Sequence, residues 1–170
     1  MFREMRRKRQ MLSKEECEQV LYRGTSGVLA VSGDDGYPYA VPLSYVYDHG
    51  CIYFHCAKSG HKLDAIRRDA KVSFCVIDRE QVVPEEYTTY FCSVIVFGKI
   101  RILEEEQEKR RAIQRLAVKY APEDSEAARQ AAIEREYAPL CMLELVPDYI
   151  SGKEAIELVK TKEKEKQQNG

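Results

Sequence analysis

A mainly β fold with accessory helices, built as an antiparallel barrel, is what this sequence predicts, and three observations predict it. About six strand-like runs follow one another at short spacing. No βαβα alternation occurs, and there is neither a G-x-G-x-x-G after a strand nor a G-x-x-x-x-G-K-[ST], which excludes a doubly wound nucleotide fold. One run, residues 87–103 (YTTYFCSVIVFGKIRIL), is long and rich in β-branched and aromatic residues; its Gly98 marks a bulge or bend that lets one strand serve two parts of a curled sheet.

From the start of the chain, Ser13 caps a helix over residues 14–22, with Glu15 and Glu16 in its first turn and Cys17, Val20 and Leu21 on one face; Gly24 ends it. Residues 27–32 (GVLAVS) read as a strand buried on both faces, and Gly33-Asp34-Asp35-Gly36 as a turn. The strand over residues 37–48 contains Pro38 and Pro42, which cannot donate to a ladder, so it is an edge or is locally irregular. Free backbone groups along Val41, Pro42, Leu43 and Ser44 could then wall a flat ring, and a plain edge strand also fits. Gly50 of His49-Gly50 supplies the positive φ of a tight hairpin into residues 51–56. That strand empties through Ala57-Lys58-Ser59-Gly60 into a helix, where Lys62, Leu63, Ile66 and Arg67 show helical spacing.

Residues 72–77 form another buried strand, and 78–84 a polar connection that partly continues it. After the long strand, a helix over 104–120 opens on three glutamates and packs through Ile113, Leu116 and Ala117. Ser125 caps a second helix over 126–137, which Pro139 stops. Residues 140–146 return to strand, 148–153 make a turn around Gly152, and 154–160 a last short helix. This gives one domain over residues 1–160, followed by a disordered tail over 161–170.

A strand feeding a helix N-terminus aims unpaired N–H groups and the positive end of a dipole at one spot, which suits a phosphate. Between residues 55 and 71 the bases Lys58, Lys62, Arg67, Arg68 and Lys71 face only Asp64 and Asp69, a net +3 on a chain whose formal charge is −1. Positive charge gathered locally on a nearly neutral protein argues for a small anion rather than a nucleic-acid backbone. An ordinary helix with a solvated basic face is the alternative. The run Arg3, Arg6, Arg7, Lys8 and Arg9 near the start is too short to indicate nucleic acid by itself. Six cysteines form no Cys-x-x-Cys pair and no secretory leader precedes them, so reduced thiols and a cytoplasmic protein are expected. No apolar run approaches a membrane span. A zinc site from His55, Cys56 and His61 is conceivable but not expected: His55 and Cys56 are adjacent and point to opposite faces of a strand, and no second ligand pair has zinc spacing.

The segments GVLAVSGDDGYPYAVPLSYVYDHGCIYFHCAKSGHKLDAIRRDAKVSFCV and SVIVFGKIRIL, with the late ISGKEAI, resemble the FMN-binding split-barrel family of pyridoxamine 5′-phosphate oxidase-like proteins, and within it the nitroimidazole-resistance reductase-like subgroup. The resemblance covers most of the chain. It implies a six-stranded split barrel, in which the two helices read over 104–120 and 126–137 are an insertion before the last strand, forming a homodimer with FMN at the subunit interface. It implies that Val41, Pro42, Leu43, Ser44 and Tyr45 lie along the isoalloxazine ring, and that His55, Ala57, Lys58, Gly60 and Lys62 run along the ribityl chain and phosphate. Ser93 would add a polar side chain, from the partner subunit, and His55 a redox role beside the flavin. Tyr39 and Ala40 stand where the oxidase carries an arginine, and its arginine-rich C-terminus is missing, which argues against vitamin B6 chemistry.

The function expected is therefore an FMN-dependent oxidoreductase passing electrons from NAD(P)H to a small electron-poor, nitroaromatic-like acceptor. The competing reading is a flavin, haem or deazaflavin binder without turnover, since His55 is the one candidate acid or base.

Overall fold

A computed structural model describes residues 2–168. Seven strands, β1 (Ser26–Ser32), β2 (Pro38–Ser44), β3 (Val46–Asp48), β4 (Cys51–Ala57), β5 (Lys71–Val83), β6 (Thr88–Ile102) and β7 (Leu140–Glu154), form one sheet in the order β2-β1-β5-β6-β7-β4-β3. Every pairing is antiparallel. The sheet is mainly β architecture as expected, but it has seven strands rather than six and does not close.

The seventh strand arises because the run over 37–48 breaks at Tyr45. This side chain is 0% exposed; it packs edge-on against Phe74, with centroids 5.0 Å apart, and its hydroxyl donates to the Leu21 carbonyl at 2.8 Å. Residues before Tyr45 pair with β1, and residues after it pair with β4. Neighbouring stretches of chain therefore end up on opposite edges of the sheet, and the sheet curls until β2 approaches β4.

Five α-helices among the described residues complete the fold: α1 (Lys14–Arg23), α2 (His61–Arg68), α3 (Glu106–Tyr120), α4 (Glu126–Glu136) and α5 (Ile156–Gln168). A full capping box joins Ser13 and Glu16 at the start of α1. The main core gathers the inward residues of the curled sheet, among them Leu29, Phe54, Phe74, Val94 and Leu143, beneath α1 and α2. A second, smaller cluster puts Ala112 and Leu116 of α3 on Val46, Tyr53 and Met142, covering the opposite face of β3, β4 and β7.

Two further expectations are corrected. Residues 148–153 are not a turn but part of β7. Gly152 serves close packing, since a Cβ there would lie 2.6 Å from Cys17 Sγ and 2.7 Å from Leu12 Cδ1. Of the stretch expected as a disordered tail over 161–170, residues 161–168 are helical, where Lys162 bridges Glu16 at 2.7 Å and buried Glu154 at 2.8 Å and Arg9 pairs with Glu163 at 2.7 Å; residues 169–170 lie outside the described residues. Gly98 does mark an irregularity: the β6–β7 register shifts between Phe97 and Gly98. No helix among the described residues is long and apolar enough to cross a membrane.

Candidate functional site

The β3–β4 turn takes positive φ at both His49 (48°) and Gly50 (81°), the two-residue geometry that suits the twist of a hairpin. Along β4 the side chains then alternate. Ile52, Phe54 and Cys56 face the main core, whereas Tyr53 and His55 face α3. His55 lines a cavity of about 300 Å³ with Ser44 from the end of β2 and Ile113, Leu116, Ala117 and Tyr120 from α3. Burial, and then the nearby Lys62 ammonium, hold the His55 imidazole below its ordinary range. It is therefore neutral at pH 7, with one ring nitrogen donating and the other accepting.

The edge strand β2 alternates more regularly. Tyr39, Val41 and Leu43 pack on the core, while Pro38, Ala40, Pro42 and Ser44 face outward. The outward face thus carries only small or rigid side chains, a flat surface on which a ring can lie. Of the five residues expected along a ring, only Pro42 and Ser44 present side chains there. Val41 and Leu43 can contribute backbone alone. The Tyr45 side chain is withdrawn into the core, and its N–H already donates to the Tyr120 hydroxyl at 3.0 Å.

Where β4 ends, Ala57, Lys58, Ser59 and Gly60 are all exposed, and Gly60 adopts φ 127°, a conformation open to glycine and strained for other residues. The Gly60 carbonyl accepts from Leu63 and Asp64, which opens α2, and no side chain caps the helix. The N–H groups of His61 and Lys62 have no acceptor among the described residues. The five bases of this region separate into two groups. Arg68 pairs with Asp34 at 2.6 Å and Arg67 with Asp64 at 3.2 Å, whereas Lys58, Lys62 and Lys71 make no ion pair among the described residues. His61 stacks on Tyr39 with centroids 4.2 Å apart, its Nε2 lying 3.4 Å from Asp34. Lys71 opens β5 beyond the far end of α2, so the charge available to an anion at the start of α2 is that of Lys58 and Lys62, not of all five bases.

Ser93 stands apart. It pairs with Lys153 of β7, whereas His55 pairs with Met142 at the other end of that strand. At a strand rise of about 3.3 Å per residue the two sites are about 35 Å apart along β7. One chain does not bring them together.

The sequence reading missed α3 as a wall of this cavity. A signal was present: the apolar face through Ile113, Leu116 and Ala117 continues to Tyr120, whose polar tip is more than a core-facing helix needs. That hydroxyl donates to the Thr25 carbonyl, fixing the end of α3 over Ser44 and His55.

A family model described as pyridoxamine 5′-phosphate oxidase matches residues 13–154. No curated protein matches the chain. Among solved structures, a candidate 5-nitroimidazole antibiotic resistance protein from Bacteroides thetaiotaomicron is similar, with a TM-score of 0.68 at 19% identity, covering 84% of this chain and 85% of that one. An FAD-binding protein from Mesorhizobium loti has a TM-score of 0.61 at 25% identity, covering 86% and 97%. An FAD and heme binding protein from Mycobacterium smegmatis has a TM-score of 0.71 at 21% identity, covering 86% and 73%.

Proposed function

This chain belongs to the pyridoxamine 5′-phosphate oxidase family, and on that footing we propose that it binds a flavin across β2, the β4–α2 junction and the cavity under α3. The observation that carries the reading is the start of α2. There, free N–H groups at His61 and Lys62 and two lysines without carboxylate partners among the described residues fall within five consecutive residues, 58–62. Such an arrangement lowers the free energy of a bound phosphate through charge-assisted hydrogen bonds and the helix dipole. The flat outward face of β2 and the neutral His55 suit the ring and its polar edge. Similar solved structures whose names include FAD binding support the same class of ligand.

In finer detail, FMN is the proposed flavin, because a single phosphate matches the two free lysines. NAD(P)H is the proposed electron donor and a small electron-poor, nitroaromatic-like molecule the acceptor. A bound flavin supplies the electron transfer; the chain supplies orientation, electrostatics and exclusion of water. His55, kept neutral, contributes one hydrogen-bond donor and one acceptor inside the cavity. Two copies of the chain are proposed to assemble, with Ser93 reaching the site from the second copy. In support, Ser93 cannot reach the site within its own chain, and the ribbon formed by the far ends of β5 and β6 exposes Ile77, Val82 and Tyr87.

The absorption spectrum of the purified protein, with mass identification of any molecule released on denaturation, tests the reading. Bound FMN supports it; bound FAD, haem or a deazaflavin corrects the cofactor. Protein that stays colourless after incubation with excess FMN and FAD overturns it. A binder without turnover is the second reading, favoured by the cavity holding one ionisable acid–base group other than a tyrosine, an imidazole that carries no charge at pH 7. NAD(P)H-dependent reductase rates that are unchanged in His55→Ala remove His55 from catalysis, and the absence of any such rate assigns the second reading.

A further inference from the structure

A second cavity lies on the other flank of α3. It has a volume of about 590 Å³, within the range of small-molecule sites, and it sits between α3, the edge strand β3 and the end of α1. We propose that it binds a small aromatic anion: a flat ring bearing a carboxylate or an equivalent acidic group.

Its walls divide by chemistry. Tyr22, Val46, Tyr47, Val118 and Pro122 supply apolar and aromatic surface, and Tyr22 and Val118 are exposed. Arg111, Arg115 and Lys119 recur every fourth residue of α3, which sets three cations in a row along the cavity. One acid, Asp48, also lines it, and that carboxylate is taken by Arg115 at 2.6 Å. Arg115 is further held with its guanidinium 5.0 Å from the Tyr53 ring centroid.

Two positive charges therefore face the cavity without a carboxylate partner among the described residues. Arg111 makes no ion pair there, although Glu108, whose carboxylate is bound by Arg101, lies within electrostatic reach of it. Lys119 donates to the Gly24 carbonyl and lies 4.5 Å from the Tyr45 ring centroid, and burial lowers its proton affinity. A half-buried ammonium with only a neutral acceptor is costly, and an incoming anion offsets that cost. β3 is the last strand of the sheet, so one edge of its backbone has no strand partner and can meet polar ring edges. A neutral ring would use the aromatic walls but leave both cations unpaired, which is why the ligand is assigned an acidic group.

The experiment uses the full chain as purified, with naphthalene-2-carboxylate as probe, naphthalene-2-carboxamide as its neutral counterpart, and titration calorimetry as readout. Saturable one-site binding of the carboxylate, about tenfold tighter than the carboxamide, is expected. Arg111→Gln and Lys119→Gln should each weaken the carboxylate about three- to tenfold and leave the carboxamide unchanged. Arg111 is exposed and unpaired, so R111Q folds normally and keeps the test decisive if K119Q does not. Lys62→Gln should leave carboxylate binding unchanged. No saturation up to about 10 mM, equal affinity for the two probes, or a loss in K62Q comparable to that in R111Q overturns the proposal. Because Lys62 belongs to the candidate flavin site and Arg111 does not, this outcome is independent of whether flavin binds.

Discussion

Lys62→Gln separates phosphate recognition from every other source of flavin affinity. Lys62 is half-buried, has no carboxylate partner among the described residues, and lies near enough to His55 to depress its proton affinity. A charge-assisted hydrogen bond contributes about 1.5–3 kcal/mol, and partial exposure selects the lower end, so about 1.5 kcal/mol is lost. That corresponds to about a tenfold rise in the Kd for FMN. Lys58 is exposed, and Lys58→Gln should cost about 0–1 kcal/mol, at most about fivefold. Riboflavin lacks the phosphate, so its affinity should not change in either variant. Flavin fluorescence quenching on titration with each ligand measures all four values, and raising the salt should shrink the FMN effect. Equal losses for FMN and riboflavin, or no loss for FMN in K62Q, would refute the assignment of the phosphate to the start of α2.

The remaining expectations concern stability. Gly98→Ala places a Cβ 2.2 Å from the Val146 carbonyl oxygen and 3.0 Å from Pro147 Cα, backbone atoms that cannot swing aside, and should cost about 3 kcal/mol or more in urea unfolding; a cost under about 1 kcal/mol would mean that the two strands separate freely there. Lys162→Met leaves the 6%-exposed Glu154 carboxylate without its cation and should cost about 1–2 kcal/mol, allowing for the partial exposure of Lys162. Hydrogen exchange should then show α5 opening ahead of the rest, and protection equal to the wild type would count against the bridge. His55 has a folded-state pKa below its ordinary 6.5, so the unfolded chain binds the proton more tightly. Its contribution to stability is complete above pH 6.5 and is lost as the pH falls through the folded-state value. His55→Gln should flatten that part of the stability profile, and an unchanged profile would assign the decline to other groups.

The elements that depend on local chemistry could be read from the residues: the Ser13 cap, the His49-Gly50 turn, the uncapped junction at Gly60 and the irregularity at Gly98. Elements decided by distant partners could not. Nothing adjacent to Tyr45 reveals that its hydroxyl reaches Leu21 and splits one run into two strands. Gly152 looks like a turn residue until α1 is packed against it. Lys162 and Glu163 look solvated until Glu16, Glu154 and Arg9 are brought beside them. In the site the same division holds. The basic start of α2 was legible, but the neutralisation of Arg68 by Asp34 needed the tertiary fold, as did the placement of Tyr120 over Ser44 and His55.

Only one residue separates the two outer strands of a seven-stranded sheet. The two margins are thus joined at a single residue, Tyr45, whose ring is held in the core. A guest wedged between them would strain that joint first, so the anchored ring at position 45 is where occupancy would be felt by the core.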